Sequence, residues 1–285
     1  MNKSNVPTIW IIALCISISF LTTKEIIGQD YGQITRYARI LYDNEINYGI
    51  VDDGTVRLIK GDLFGAWTRT DVSVPLNEVK LLAPCEPSKV IAMAYNFASH
   101  TVDRPKPEKP IAFAKLPTCI IGHEDNIEMP ENATNLHYEG ELAVVFGKKT
   151  QNISKEEVTN HILGVTIGND VSERNWQRED PRWLLAKATD TFGPLGPWIV
   201  SGLNHNDLLI ETRLNGETVQ SQRTSDMFFS LEECVSYLSY YITFNPGDVL
   251  FLGTPGTTKK MEAGDIVEVE IEHIGILKNT VVKEN

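Results

Sequence analysis

The chain has 285 residues, 42% hydrophobic and 22% charged, with a formal charge of −12. That is enough for one or two globular domains with a sizeable core, and no constant-period repeat points to a solenoid or propeller. The acidic balance, with no cluster of lysine and arginine, leaves nothing to meet a phosphate backbone, so nucleic-acid binding is not expected.

The N-terminus departs from this picture. Lys3 precedes the apolar run "IWIIALCISISFL" at 9–21, and the polar "TTKEIIGQD" follows. A run this short suits the apolar core of a signal peptide better than a helical span, and Gly28 offers a cleavage point. Residues 1–28 are therefore expected to direct export, to a periplasm or out of the cell. The alternative is a membrane anchor over 9–21, with the membrane a partner only if the leader is uncleaved. Cys15 lacks the small residues that precede a lipoprotein cysteine. Cys85, Cys119 and Cys234 match no zinc spacing and indicate no disulfide framework, although one bridge plus a free thiol fits the count. Sequons at Asn132 and Asn152 matter only in a eukaryotic secretory route.

Next come "YARILY", "NYGIVDD" and "TVRLIKGDLF", which alternate like short strands around a turn at Asp52-Asp53-Gly54. They form a small β-rich domain over 34–84, closed by the prolines of "LLAPCEPSK". The apolar "VIAMAYNF" reads as a strand, and the proline-laden 98–110 as a binding loop or lid. "ELAVVFG", "HILGVTIGND", "PWIVSG", "LLIETRLNGE", "DVLFLGTP" and "DIVEVEIEHIG" read as further strands. "SKEEVTNHI" opens with Ser154 as N-cap and Glu157 three residues on, the capping-box start of a helix, and "SLEECVSYLSYYI" spaces Leu231, Val235, Leu238 and Ile242 as a helix does, with Ser230 as N-cap. The sum over 85–285 is an α+β domain, mainly β.

"YEGELAVVF", at 138–146, carries the chemistry. Residues two apart on a strand share a face, which puts Glu139 and Glu141 together in a segment apolar on both sides. Carboxylates buried there are costly unless protonated, paired with cations, or bound to a metal. Asp170 ends a second apolar run and adds a third acid. Three such oxygens suit Mg²⁺ or Mn²⁺, with Ca²⁺ a further hard ion. The plainer alternative is a strand edge bearing solvated acids.

"YEGELAVVFGKK", "GVTIGNDVSERNWQ", "AKATDTFGPLGPWIV", "LNGETVQSQRTSDMFFS" and "NPGDVLFLGTPG" resemble, in order, successive signatures of the fumarylacetoacetate hydrolase family. The resemblance implies a mixed β-roll catalytic domain behind a short N-terminal domain, a homodimer, and Mg²⁺ or Mn²⁺ on Glu139, Glu141 and Asp170. It also places the family lysine on Lys187. "YNFASHTVD" matches the lid pattern, giving His100 as general base and Asp103 as its orienting acid, where the family commonly has Glu. Ala94, the prolines after the dyad and the loop "GTTKKMEAGD" also depart from the family's usual form. Arg174 and Gln177 of "SERNWQ" are candidates for a substrate carboxylate, Arg174 pairing alternatively with Glu173, Glu179 or Asp180. Thr254 could offer its hydroxyl and nearby N–H groups to an anion.

The expected function is metal-dependent hydrolase or lyase chemistry on a small carboxylate, a 2-oxo or diketo acid, with C–C hydrolysis of an acylpyruvate-like substrate foremost. Isomerisation, decarboxylation and ureidoglycolate lyase-type activity are alternatives on the same scaffold. An exported small-acid binding protein without turnover is the alternative from another class.

Overall fold

The computed structural model describes Met1, residues 33–101 and residues 105–284. The apolar run at 9–21 and Asp103 lie outside the described residues. β1 (Thr35–Tyr42), β2 (Glu45–Asp52), β3 (Thr55–Gly61) and β4 (Trp67–Pro75) form an antiparallel meander, and the two-residue β5 (Lys80–Leu81) returns to β1. The β2–β3 turn falls at Asp53 and Gly54, both with positive φ, as a tight right-twisted hairpin requires.

β6 (Val90–Ala94), β7 (Ile111–Lys115), β8 (Ile120–Ile121), β9 (Asn126–Met129) and β10 (Leu136–His137) lead into the central strands. These are β11 (Gly140–Phe146) and β12 (Ile162–Asn169), both buried along their whole length. β13 (Ser172–Glu173), α1 (Arg174–Glu179) and α2 (Leu184–Ala188) follow, then β14 (Gly193–Ser201), β15 (Leu209–Leu214) and β16 (Glu217–Arg223). α3 (Leu231–Tyr241), β17 (Val249–Phe251), β18 (Ile266–Ile271) and β19 (Gly275–Lys283) complete the order.

One large mixed sheet runs β4-β3-β2-β1-β14-β12-β11-β17-β6-β7, and a second runs β16-β15-β18-β19-β9. The N-terminal meander joins the first sheet through antiparallel pairing of β1 with β14. Between the sheets lies the main core, with Leu142, Val144 and Phe146 of β11 packed among Val165, Ile167, Ile210, Val269 and α3. Burying one such side chain stabilises by about 1.5–3 kcal/mol. α3 has the expected N-cap at Ser230, completed by Glu233 into a capping box, and turns Leu231, Cys234, Val235 and Leu238 inward. The segment after Ser154 has its capping box too, but it forms a 3-10 turn, Lys155–Asn160, with only Val158 buried. One apolar contact does not hold a longer helix against the core.

Cys85, Cys119 and Cys234 are buried free thiols, so the bridge compatible with their count is not formed. Among the described residues no helix is long and apolar enough to cross a membrane.

Candidate active site

Register brings the acids together. Glu141 pairs with Gly168, Gly140 with Asn169, and the Asp170 N–H donates to the Glu139 carbonyl at 2.8 Å. Gly168 is needed there, because a Cβ would fall 2.2 Å from the Phe251 ring. Glu139, Glu141 and Asp170 are each at most 4% exposed, and their oxygens lie within 4.8 Å of one another.

Cations crowd two of the three. Lys187, on α2 and itself buried, reaches Glu139 Oε2 at 2.5 Å and Asp170 Oδ2 at 2.7 Å. Arg174 reaches Glu139 Oε1 at 2.5 Å, Gln177 Oε1 at 2.8 Å and Thr258 Oγ1 at 3.0 Å. Its partner is therefore the strand-end acid, and Glu173 instead caps α1 by accepting from the Trp176 N–H. Although burial works against the charged form, Arg174 and Lys187 hold the Glu139 carboxyl well below the usual range. Glu141 differs. Burial first, then the charges of Asp170 and Glu139, push its pKa well above the ordinary value, and its hydrogen bond is the Gly253 N–H at 2.6 Å. Gly253 has φ +97, and a Cβ there would lie 2.9 Å from Asn96, so glycine lets the backbone present that N–H.

The sequence reasoning missed Lys115. It closes β7 with its side chain wholly buried and donates to Asp170 Oδ1 at 2.6 Å, to the Phe192 carbonyl at 3.1 Å and to the Lys187 carbonyl. Burial disfavours the ammonium, yet Asp170 outweighs it and raises the Lys115 pKa. The available signal was a lysine ending the otherwise apolar "IAFAK". His137 was missed too. Its ring bonds Thr258 Oγ1 and Asn135 Oδ1, and burial, then Arg174, lowers its pKa to about 4.

His100 stands at the rim, with Nδ1 donating to the Gly256 carbonyl at 2.7 Å and Nε2 3.4 Å from Glu139 Oε1. Thr254 is held within the protein: its hydroxyl donates to the Gly140 carbonyl and accepts from Gln220.

Two connected spaces open on this cluster. The inner one, about 30 Å³, is lined by Glu139, Glu141, Lys187, Thr254, Asn96 and Phe113. The outer cleft, about 680 Å³, is lined by Arg174, Arg178, Pro181 and the 256–258 loop, and both spaces share Tyr95, His100, Gln177 and Trp183. A separate cavity of about 290 Å³ beside His205 and Glu232 shares no lining residue with either.

A buried oxygen triad with lysines against it, a histidine at the rim and a cleft above defines a class of α+β site whose acids could hold a divalent ion. Residues 89–282 match the sequence profile described as Fumarylacetoacetate (FAA) hydrolase C-terminal, and residues 35–84 match Rv2993c-like, N-terminal. The chain belongs to the fumarylacetoacetate hydrolase family.

It is similar to the human protein named Oxaloacetate tautomerase FAHD2A, mitochondrial. They are 40% identical over 224 residues, which is 73% of this chain and 71% of that one. Among solved structures it resembles a 5-carboxymethyl-2-hydroxymuconate delta-isomerase from Mycobacterium smegmatis, 41% identical with TM-score 0.83, covering 87% of this chain and 100% of the other. A 2-hydroxyhepta-2,4-diene-1,7-dioate isomerase from Mycobacterium marinum is 38% identical, also with TM-score 0.83, over 88% and 99%.

These relatives correct the expectation of an exported or membrane-anchored protein. The human relative is mitochondrial by name. The apolar run at 9–21 is a hydropathy signal, and hydropathy by itself does not distinguish among the segments that can carry it.

Proposed function

We propose that this chain is a divalent-metal-dependent enzyme that moves a proton on a small 2-oxo acid, interconverting enol and keto forms. Glu141 is the observation that carries the reading. Three buried acids converge, two are met by Lys187 and Arg174, and the third has among the described residues only a backbone N–H and a pKa driven upward. Hard oxygens, those of Glu141 with no ion pair among the described residues, and a space of about 30 Å³ fit a divalent ion. Glu139, Glu141 and Asp170 would hold Mg²⁺ or Mn²⁺, with Ca²⁺ a third choice. Such an ion, when bound, polarises the carboxylate and 2-oxo oxygens of an acid.

The chain's own residues supply the rest. Lys187 Nζ lies against the same oxygens and meets negative charge developing on the substrate. The Gly256 carbonyl accepts a hydrogen bond from the Nδ1–H of His100, which leaves Nε2 facing the site as the atom that accepts a proton from carbon and returns it. Tyr95, Phe113 and Trp183 narrow the entrance with their ring edges and limit water. The isomerase and tautomerase names of the 38–41%-identical relatives support proton movement.

A second reading is C–C hydrolysis of an acylpyruvate-like acid, favoured by the family's description, with His100 and Asp103 activating water. The test loads the protein with Mn²⁺ and offers oxaloacetate, acylpyruvates, diketo sugar acids and ureidoglycolate. Faster enol decay with an intact carbon skeleton supports tautomerisation. Cleavage to pyruvate and a second acid supports hydrolysis, and release of carbon dioxide or glyoxylate points to decarboxylase or lyase chemistry. No turnover by metal-loaded protein favours a binding protein.

We also propose that the chain pairs with a second copy of itself. Edge strand β7 exposes Ile111 and continues to exposed Leu116, and the neighbouring α2 exposes Leu184 and Leu185. Sedimentation at a monomer mass would overturn this.

A further inference from the structure

The inner space, about 30 Å³ against about 680 Å³ for the outer cleft, has room for an ion, the atoms that ligate it and little else. The organic body of a ligand must therefore lie in the outer cleft, past Tyr95 and Trp183, whose rings meet edge to face at 5.8 Å. Both residues hold positive φ, +58° for Tyr95 and +61° for Trp183. Bulky side chains in that region are strained, and such positions cluster where a site is built.

Among the described residues the lining of the outer cleft contains no Asp or Glu, on a chain whose net charge is −12. Two arginines among the described residues reach it, and they differ. The guanidinium of Arg174 is committed to Glu139, Gln177 and Thr258. Arg178, one turn along α1, gives a single hydrogen bond to Asn175 Oδ1 at 2.9 Å and forms no ion pair among the described residues. Four of its five N–H donors meet no partner among the described residues and are open to a ligand, in the planar fork that suits a carboxylate. The site beneath points the same way. Glu139, Glu141 and Asp170 are balanced by Lys115, Lys187 and Arg174, so a divalent ion gives the site an excess of two positive charges. A ligand with two negative charges matches it.

We propose that Arg178 binds a second, distal carboxylate, so that this chain selects 2-oxo dicarboxylates over 2-oxo acids with an uncharged tail. The proposal rests on the reading of the site as metal-dependent and 2-oxo-acid-binding. Arg178 sets specificity; it does not touch the reacting carbon.

The experiment is calorimetric titration of the full-length, Mn²⁺-loaded protein with oxaloacetate, 2-oxoglutarate and 2-oxoadipate, each beside its distal monomethyl ester. For at least one chain length the diacid binds about tenfold or more tightly than its ester, the scale of a charge-assisted pair. Arg178→Ala brings that diacid down to the affinity of its ester and leaves the ester unmoved; Arg178→Lys keeps part of the preference. A diacid preference that survives Arg178→Ala, or no preference at any length, overturns the role of Arg178 and leaves the metal site standing. Failure of all six acids to bind protein that has taken up Mn²⁺ overturns the 2-oxo acid reading as well.

Discussion

Replacing Lys115 with methionine keeps the length of the side chain and removes its charge. The native Nζ is inaccessible to solvent and serves Asp170 Oδ1 and the carbonyls of Lys187 and Phe192. Methionine leaves all three acceptors without that donor, and it leaves three acids facing two cations. Removing one partner of a buried ion pair costs about 3–5 kcal/mol, because the other charge stays buried. The released cost of burying the ammonium itself favours the lower end. In a chain of this size each kcal/mol lowers the melting temperature by about 2–4 °C, so a fall of roughly 6–12 °C is expected for about 3 kcal/mol. The assay is thermal unfolding followed by circular dichroism, first in chelator and then with Mn²⁺. Added ion should recover part of the loss by binding the folded state and replacing the missing positive charge. A melting temperature in chelator within about 2 °C of wild type, well inside the scale of a broken buried pair, would refute the account of Lys115 as a counter-ion for Asp170.

His100→Ala should lower turnover by about 10²–10⁴, the usual share of a positioned acid–base group. Its Mn²⁺ affinity should stay near normal, because His100 stands at the rim; turnover at the wild-type rate would remove it from the reaction. Glu232 gives a pH prediction. The hydrogen bond from His205, against the opposing effect of burial, lowers its pKa from 4.5 to about 2. A folded-state pKa below the unfolded one contributes stability above about pH 4.5, and this is lost as pH falls toward 2. Glu232→Gln should therefore lose about 1 kcal/mol at pH 6, after discount for partial exposure, and little at pH 2.5. Urea midpoints at the two pH values measure the difference; an equal deficit at both would contradict it. Ser230→Ala removes the N-cap of α3, whose hydroxyl accepts from the Glu233 N–H at 3.3 Å, and should cost about 1 kcal/mol. No change in the urea midpoint would show that the cap contributes nothing.

The parts of this protein legible in its sequence are those set by short-range periodicity. β11 could be read because its apolar residues occupy both faces, and strand period two alone put Glu139 and Glu141 side by side. α3 could be read because its cap and its inward residues agree in spacing. Lys187 and His100 came only through the family signatures, since each meets its partners across the fold: Lys187 reaches Glu139, 48 residues away, and His100 reaches Gly256, 156 residues away. Lys115 left no local trace of its role, because what defines it is a carboxylate 55 residues further on. Arg174 had acids nearby in sequence, yet it pairs with Glu139, a choice that the turn from β13 into α1 makes and spacing does not reveal. The strand order fell outside sequence reasoning for the same reason. Pairing of β1 with β14 joins segments more than 150 residues apart, and no local pattern encodes that neighbour.

The central claim is that Glu139, Glu141 and Asp170 hold one divalent ion. Calorimetric titration of the full chain with Mn²⁺ tests it most directly, comparing wild type with Glu141→Ala. The account predicts one ion per chain in the wild type and affinity weakened by at least about 100-fold in the variant, as loss of one charged ligand from a three-acid site requires. Binding of the same stoichiometry and strength in Glu141→Ala would contradict it.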